Sequence, residues 1–65
     1  MKILLNGEAF ATDAKTLDEL CARLGFADAK IATAVNGNVV AVVARSATQL
    51  APADEVEIVA PRQGG

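Results

Sequence analysis

Met1-Lys2-Ile3-Leu4-Leu5 is an apolar stretch of strand length, closed at once by Asn6-Gly7. Both residues of that pair tolerate positive φ, so it predicts a hairpin turn, with Glu8 to Thr12 as the return strand. Next, Thr16-Leu17-Asp18-Glu19 fits a capping box, in which the Thr16 hydroxyl accepts from the Glu19 N–H and the Glu19 carboxylate reaches back. Leu17, Leu20, Cys21 and Leu24 follow at i, i+3, i+4 and i+7, the stripe of an amphipathic helix from Thr16 to Leu24. Gly25 stands where a left-handed C-cap is wanted, and Phe26 can fold back onto the last turn. Ile31 to Val35 predicts a third strand, Asn36-Gly37 a second turn, and Asn38 to Val43 a fourth strand. Residues 44–53 have little periodicity and are punctuated by Pro52. Glu55-Val56-Glu57-Ile58-Val59 alternates as a last strand, ended by Pro61, which lacks the N–H a continuing ladder needs.

The order β-β-α-β-β-β predicts an α+β fold with one main helix across one face of a mixed sheet. Ile3, Leu5, Ile31, Val35, Val56 and Ile58 are the candidates to face the helix. The opposite phase leaves Leu4, Ala34 and Val59 on the open face. A cluster of such side chains is a candidate docking patch for partners. Residues 1–60 read as the domain. Residues 61–65 read as a mobile tail, because Arg62-Gln63-Gly64-Gly65 has no apolar side chain to bury.

Composition narrows the function. The chain has 65 residues, room for one domain and hardly for a deep catalytic pocket as well. Hydrophobic residues make up 52%, too many for a disordered chain, yet Phe10 and Phe26 are the only aromatics. The net charge is -2 with no basic stripe, which argues against nucleic-acid binding. No apolar run reaches membrane-span length, and Met1 to Leu5 is too short for a signal-peptide core. A cytoplasmic location is the expectation, and the single Cys21 fits a reducing compartment. Cys21 lies on the apolar stripe with no histidine in the chain to activate it, so it reads as core rather than nucleophile. Asp13, Asp18, Glu19, Asp28, Asp54, Glu55 and Glu57 read as solvated charges or caps and not as metal ligands.

The element order, the two Asn-Gly turns and the terminal Gly64-Gly65 resemble the ubiquitin-like β-grasp proteins. Met1-Lys2-Ile3-Leu4-Leu5-Asn6-Gly7-Glu8, Ala34-Val35-Asn36-Gly37-Asn38-Val39-Val40 and Val56-Glu57-Ile58-Val59-Ala60-Pro61-Arg62-Gln63-Gly64-Gly65 are similar to the thiamine-biosynthesis sulfur-carrier family, ThiS. The resemblance spans the whole chain and implies that the first and last strands are parallel neighbours. Two departures stand out. The family often has Pro-Arg after its second turn, where Ala41-Val42-Val43-Ala44 stands here. A Gly-Asp turn commonly precedes its last strand, where Ala53-Asp54 stands here. A positive φ at Ala53 would cost roughly 1 kcal/mol.

The resemblance implies a carrier and not an enzyme. An E1-like adenylating partner would join the Gly65 carboxylate to AMP, with ATP and magnesium held by that partner. Persulfide sulfur would then give a Gly65 thiocarboxylate, and thiazole synthase would take the sulfur for the thiazole ring of thiamine. Arg62, Gln63 and Gly64 would thread the partner's channel, where side chains next to the carboxylate would obstruct entry. The chain itself would hold no cofactor. Two rivals share the fold: the small subunit of molybdopterin synthase, also a sulfur carrier, and a non-catalytic ubiquitin-like interaction domain.

Overall fold

The computed structural model describes residues 1–26 and 30–60. Five strands and one α-helix appear in the expected order: β1 Lys2–Leu5, β2 Glu8–Ala11, α1 Leu17–Arg23, β3 Ala32–Val35, β4 Asn38–Val40 and β5 Glu55–Val59. They form one mixed sheet in the order β2-β1-β5-β3-β4. β1 and β5 are parallel neighbours, and the remaining pairs are antiparallel. This is the β-grasp arrangement, an α+β fold in which one helix covers one side of the sheet.

The helix forms where its local signals place it. The Thr16 side chain accepts from the Glu19 N–H at 3.2 Å. The Glu19 carboxylate reaches back one residue further than a capping box requires, to the Lys15 N–H at 2.8 Å. At the other end Gly25 has φ +87. Its N–H donates to the Ala22 carbonyl at 3.1 Å and that of Phe26 to the Cys21 carbonyl at 2.8 Å, a complete Schellman pair. The half-buried Phe26 packs on the core as this cap requires.

Leu17, Leu20 and Cys21 are buried against Ile3, Ile31, Val56 and Ile58, with Ala14 and Leu50 closing the rim. Leu5 and Val35, expected to face inward, are partly buried against the same cluster. Leu50 comes from the segment without periodicity. It is held by its N–H to the Lys15 carbonyl at 2.9 Å, beside the Thr16–Gln49 bridge.

The fourth strand is shorter than its apolar pattern predicts. It ends at Val40, and Val42–Ala47 form a 3-10 helix. The β-branched pair Val42-Val43 is therefore outside the sheet and exposed. Tertiary structure overrides propensity here, because turning the chain at Ala41 sends Arg45 inward. The Arg45 guanidinium is buried and donates to the Ile31 carbonyl at 2.7 Å and to Thr33 Oγ1 at 3.1 Å. The Thr33 hydroxyl in turn donates to the Val40 carbonyl at 2.8 Å. One polar chain thus fastens the 3-10 helix to β3 and β4.

Before β5, Pro52 and Ala53 are the central residues of a turn closed by the Asp54 N–H to the Ala51 carbonyl at 3.1 Å. Ala53 has φ 71, the left-handed backbone expected if alanine replaces glycine there. Asp54 reinforces the turn by accepting from the Ala51 N–H at 2.8 Å.

Candidate functional site: the open sheet face and the end of the last strand

Strand register decides which side chains share the open face. Leu4 pairs with Ala9 on β2 and Glu55 on β5. Glu57 pairs with Ala34, which pairs in turn with Val39, while Val59 pairs with Ala32. Paired residues point the same way and alternate along a strand, so Leu4, Ala34 and Val59 do lie on one face. Val59 is 57% exposed and Leu4 38% exposed, with Ala34 half-buried between strands.

The face is less uniform than expected. Glu55 and Glu57 project from it together with Val59, because all three share one phase of β5. Two carboxylates therefore interrupt the apolar patch that Leu4, Ala34 and Val59 alone would make. Leu4 lies beside Glu55, roughly 13 Å of strand away from Val59, with both carboxylates between. The continuous apolar part is a shallow depression on the β3 side, lined by Ala32, Thr33, Ala34, Val39, Glu57 and Val59. Val39, 85% exposed, is the contributor that sequence reasoning missed. Its signal was present, since Val39 stands opposite Ala34 across the Asn36-Gly37 turn.

The end of β5 is fastened from the first hairpin. Asn6 has φ 50, and its N–H donates to the Val56 carbonyl at 2.8 Å. Its side chain then reaches two residues further. Asn6 Oδ1 accepts from the Ile58 N–H at 2.9 Å and Asn6 Nδ2 donates to the Ile58 carbonyl at 3.1 Å. Arg62, Gln63, Gly64 and Gly65, the residues expected to carry the chemistry, lie outside the described residues.

The remaining candidates resolve into structural roles. Cys21 is buried, and burial pushes its thiol above the ordinary range; nearby Arg45 opposes that shift and Asp18 adds to it. A raised pKa is the opposite of what a nucleophile needs. Asp13 pairs with Arg23, Glu19 caps the helix, and Asp54 holds its turn. Asp28 lies outside the described residues. No group of three potential metal ligands occurs among the described residues. A second concavity is lined by Met1, Asp13, Ala14, Lys15, Gln49 and Leu50, whose charged groups are the Asp13 carboxylate, the Lys15 ammonium and the Met1 ammonium.

Comparison with known proteins bears on the whole chain. The sequence matches the ThiS family over residues 3–65. Among solved structures, the crystal structure of a thiamine biosynthesis protein (ThiS) from Geobacter metallireducens superposes with a TM-score of 0.80 at 32% identity, covering all of both chains. No curated protein matches with significance.

Proposed function

Because the chain belongs to the ThiS family of small sulfur-carrier proteins, we propose that it delivers sulfur to the thiazole ring of thiamine as a thiocarboxylate on Gly65. The family match carries this reading, since it runs through the Gly64-Gly65 end as well as the folded domain.

In the proposed sequence, a Gly65 carboxylate oxygen attacks the α-phosphorus of ATP on an E1-like enzyme, and pyrophosphate leaves. The mixed anhydride has an electrophilic carbonyl, which the ionised carboxylate lacks. A persulfide attacks that carbon and expels AMP, leaving an acyl disulfide. A second thiol attacks the donor cysteine's sulfur to form a disulfide, and the acyl-bound sulfur leaves with the S–S electron pair as the Gly65 thiocarboxylate. Thiazole synthase then accepts the sulfur. ATP and magnesium belong to the adenylating partner in this scheme, and the carrier contributes a carboxylate, a narrow tail and a docking surface.

The docking surface is proposed to be the depression around Ala34, Val39 and Val59, with Leu4 as an outlying contact. An apolar centre with a polar rim is the composition that interfaces use. Glu55 and Glu57 beside it favour a partner surface carrying basic side chains. Arg62, Gln63 and Gly64 thread the partner's channel. No helix among the described residues is long and apolar enough to cross a membrane, and a cytoplasmic site of action is part of the proposal.

Complementation tests the pathway. The gene should restore growth without added thiazole to a strain lacking its own carrier, and a version without Gly64-Gly65 should not. Rescue by the truncated version would point to a binding module. Rescue of a molybdopterin-synthase defect instead would move the protein to the other pathway.

A further inference from the structure

β5 is the strand from which the chain leaves the sheet, and its two sides are secured differently. On the β3 side, pairing runs through Val59 opposite Ala32. On the β1 side, strand pairing stops at Val56, because β1 turns away at Asn6-Gly7. Ile58 would then present an N–H and a carbonyl with no strand opposite. The Asn6 carboxamide fills that place, bonding both groups at 2.9 and 3.1 Å. It acts as one further peptide unit of the ladder, two residues nearer the tail. The left-handed backbone at Asn6 aims the side chain there, and asparagine tolerates that backbone better than most residues.

Asn36 makes the matching arrangement at the other end of the same strand. It also has a left-handed backbone, with φ 51. Its Oδ1 accepts from the Glu55 N–H at 2.9 Å and its Nδ2 donates to Asp54 Oδ1 at 3.0 Å. One turn secures the start of β5 and the other secures its end.

We infer that Asn6 is a positioning residue for the tail chemistry: by bonding Ile58 on the side that β1 leaves open, it fixes the direction in which the chain departs toward Gly65. The inference rests on the sulfur-carrier reading. A docked domain raises the effective concentration of its carboxylate at the partner's nucleotide, and that concentration falls with linker length. Without the clip, Ile58 and Val59 are held from the β3 side alone. The linker then starts about two residues earlier, and Val59 loses its fixed place on the docking face.

The test compares Asn6→Gly with Asn36→Gly. Both keep a residue that accepts the left-handed backbone, and each removes two side-chain hydrogen bonds near one end of β5. Hydrogen exchange at the Ile58 amide is measured by NMR. Pyrophosphate release by the adenylating enzyme is measured against carrier concentration, so that kcat and KM separate. Asn6→Gly should speed Ile58 exchange and lower kcat/KM by at least about 1.5-fold, the loss expected from the longer linker alone. Asn36→Gly, with a similar loss in melting temperature, should stay near wild type in both. Asn6→Asp keeps the acceptor for the Ile58 N–H and should recover part of the loss. Equal loss of kcat/KM in both glycine variants would reduce Asn6 to a structural role, and wild-type kcat/KM in Asn6→Gly would also overturn the inference. If the wild-type carrier itself supports no pyrophosphate release, the sulfur-carrier reading fails and takes this inference with it.

Discussion

The Arg45 guanidinium donates to the Ile31 carbonyl at 2.7 Å from a position that is 7% exposed. A charged side chain thereby does the work of a core residue in a domain with few large apolar ones. Its Nε bond to Thr33 completes the link from the 3-10 helix to β3. Arg45→Met keeps most of the apolar volume but strips a donor from Ile31 and Thr33. It should cost about 1–3 kcal/mol in urea unfolding. Arg45→Ala also leaves a cavity and should cost more. Equal stability of both variants with wild type would mean that the link carries no weight.

Ala53 gives a prediction of opposite sign. Its φ of 71 is strained for alanine and free for glycine. Glycine also enlarges the entropy of the unfolded chain, which offsets part of the gain. Ala53→Gly should therefore stabilise by about 0.5 kcal/mol net, a rise in melting temperature of about 2–4 °C. A lower melting temperature would show the turn to be unstrained.

Much of this architecture is legible in the sequence, because it is written locally. Thr16, Glu19 and the Leu17/Leu20/Cys21/Leu24 stripe specify the helix within one short window, and Gly25 specifies its stop. The Asn-Gly pairs specify both hairpins, and the missing glycine at 53 forecasts the strain found there. Contacts between distant parts of the chain were not legible. Arg45 stands in an aperiodic stretch, where a charge reads as loop, and only the turn at Ala41 sends it inward. Val42 and Val43 read as strand by β-branching, yet they fall after that turn. Strand alternation alone puts Leu4, Ala34 and Val59 on one face. The distance from Leu4 to Val59, and the two glutamates between them, needed the register of β1 on β5.

Cys21 supplies a pH dependence. Burial raises its pKa in the folded state. Above the unfolded thiol's pKa, about 8.5, the unfolded chain releases a proton that the folded chain retains. Folding stability from this group is complete below that pH and falls as pH rises toward the folded value. Wild type should lose stability in mildly alkaline solution with a slope that Cys21→Ala lacks. The native thiol should also react slowly with iodoacetamide until the protein unfolds. Rapid alkylation of the native state would contradict its place in the core.

The proposed docking face predicts a separation between binding and folding. Val59→Asp or Val39→Asp puts a carboxylate onto the apolar depression, close to Glu57. Desolvating that charge should weaken binding to the adenylating enzyme about tenfold or more. Both sites are well exposed, so unfolding free energy should move by less than about 1 kcal/mol. Leu4→Asp should weaken binding less, since Leu4 already borders Glu55. A larger effect at Leu4 than at Val59 would relocate the interface to the β1 side of the sheet.

Intact-mass spectrometry decides whether Gly65 takes up sulfur. The purified chain is incubated with the E1-like enzyme, ATP, magnesium, cysteine and a persulfide-forming desulfurase. A sulfur carrier should gain mass equal to replacing one oxygen by one sulfur, mapped by fragmentation to Gly65. Gly65→Val should bind the enzyme normally and show no increase. An unchanged wild-type mass under conditions that convert an established carrier, or sulfur found on Cys21 instead of Gly65, would contradict the sulfur-carrier reading.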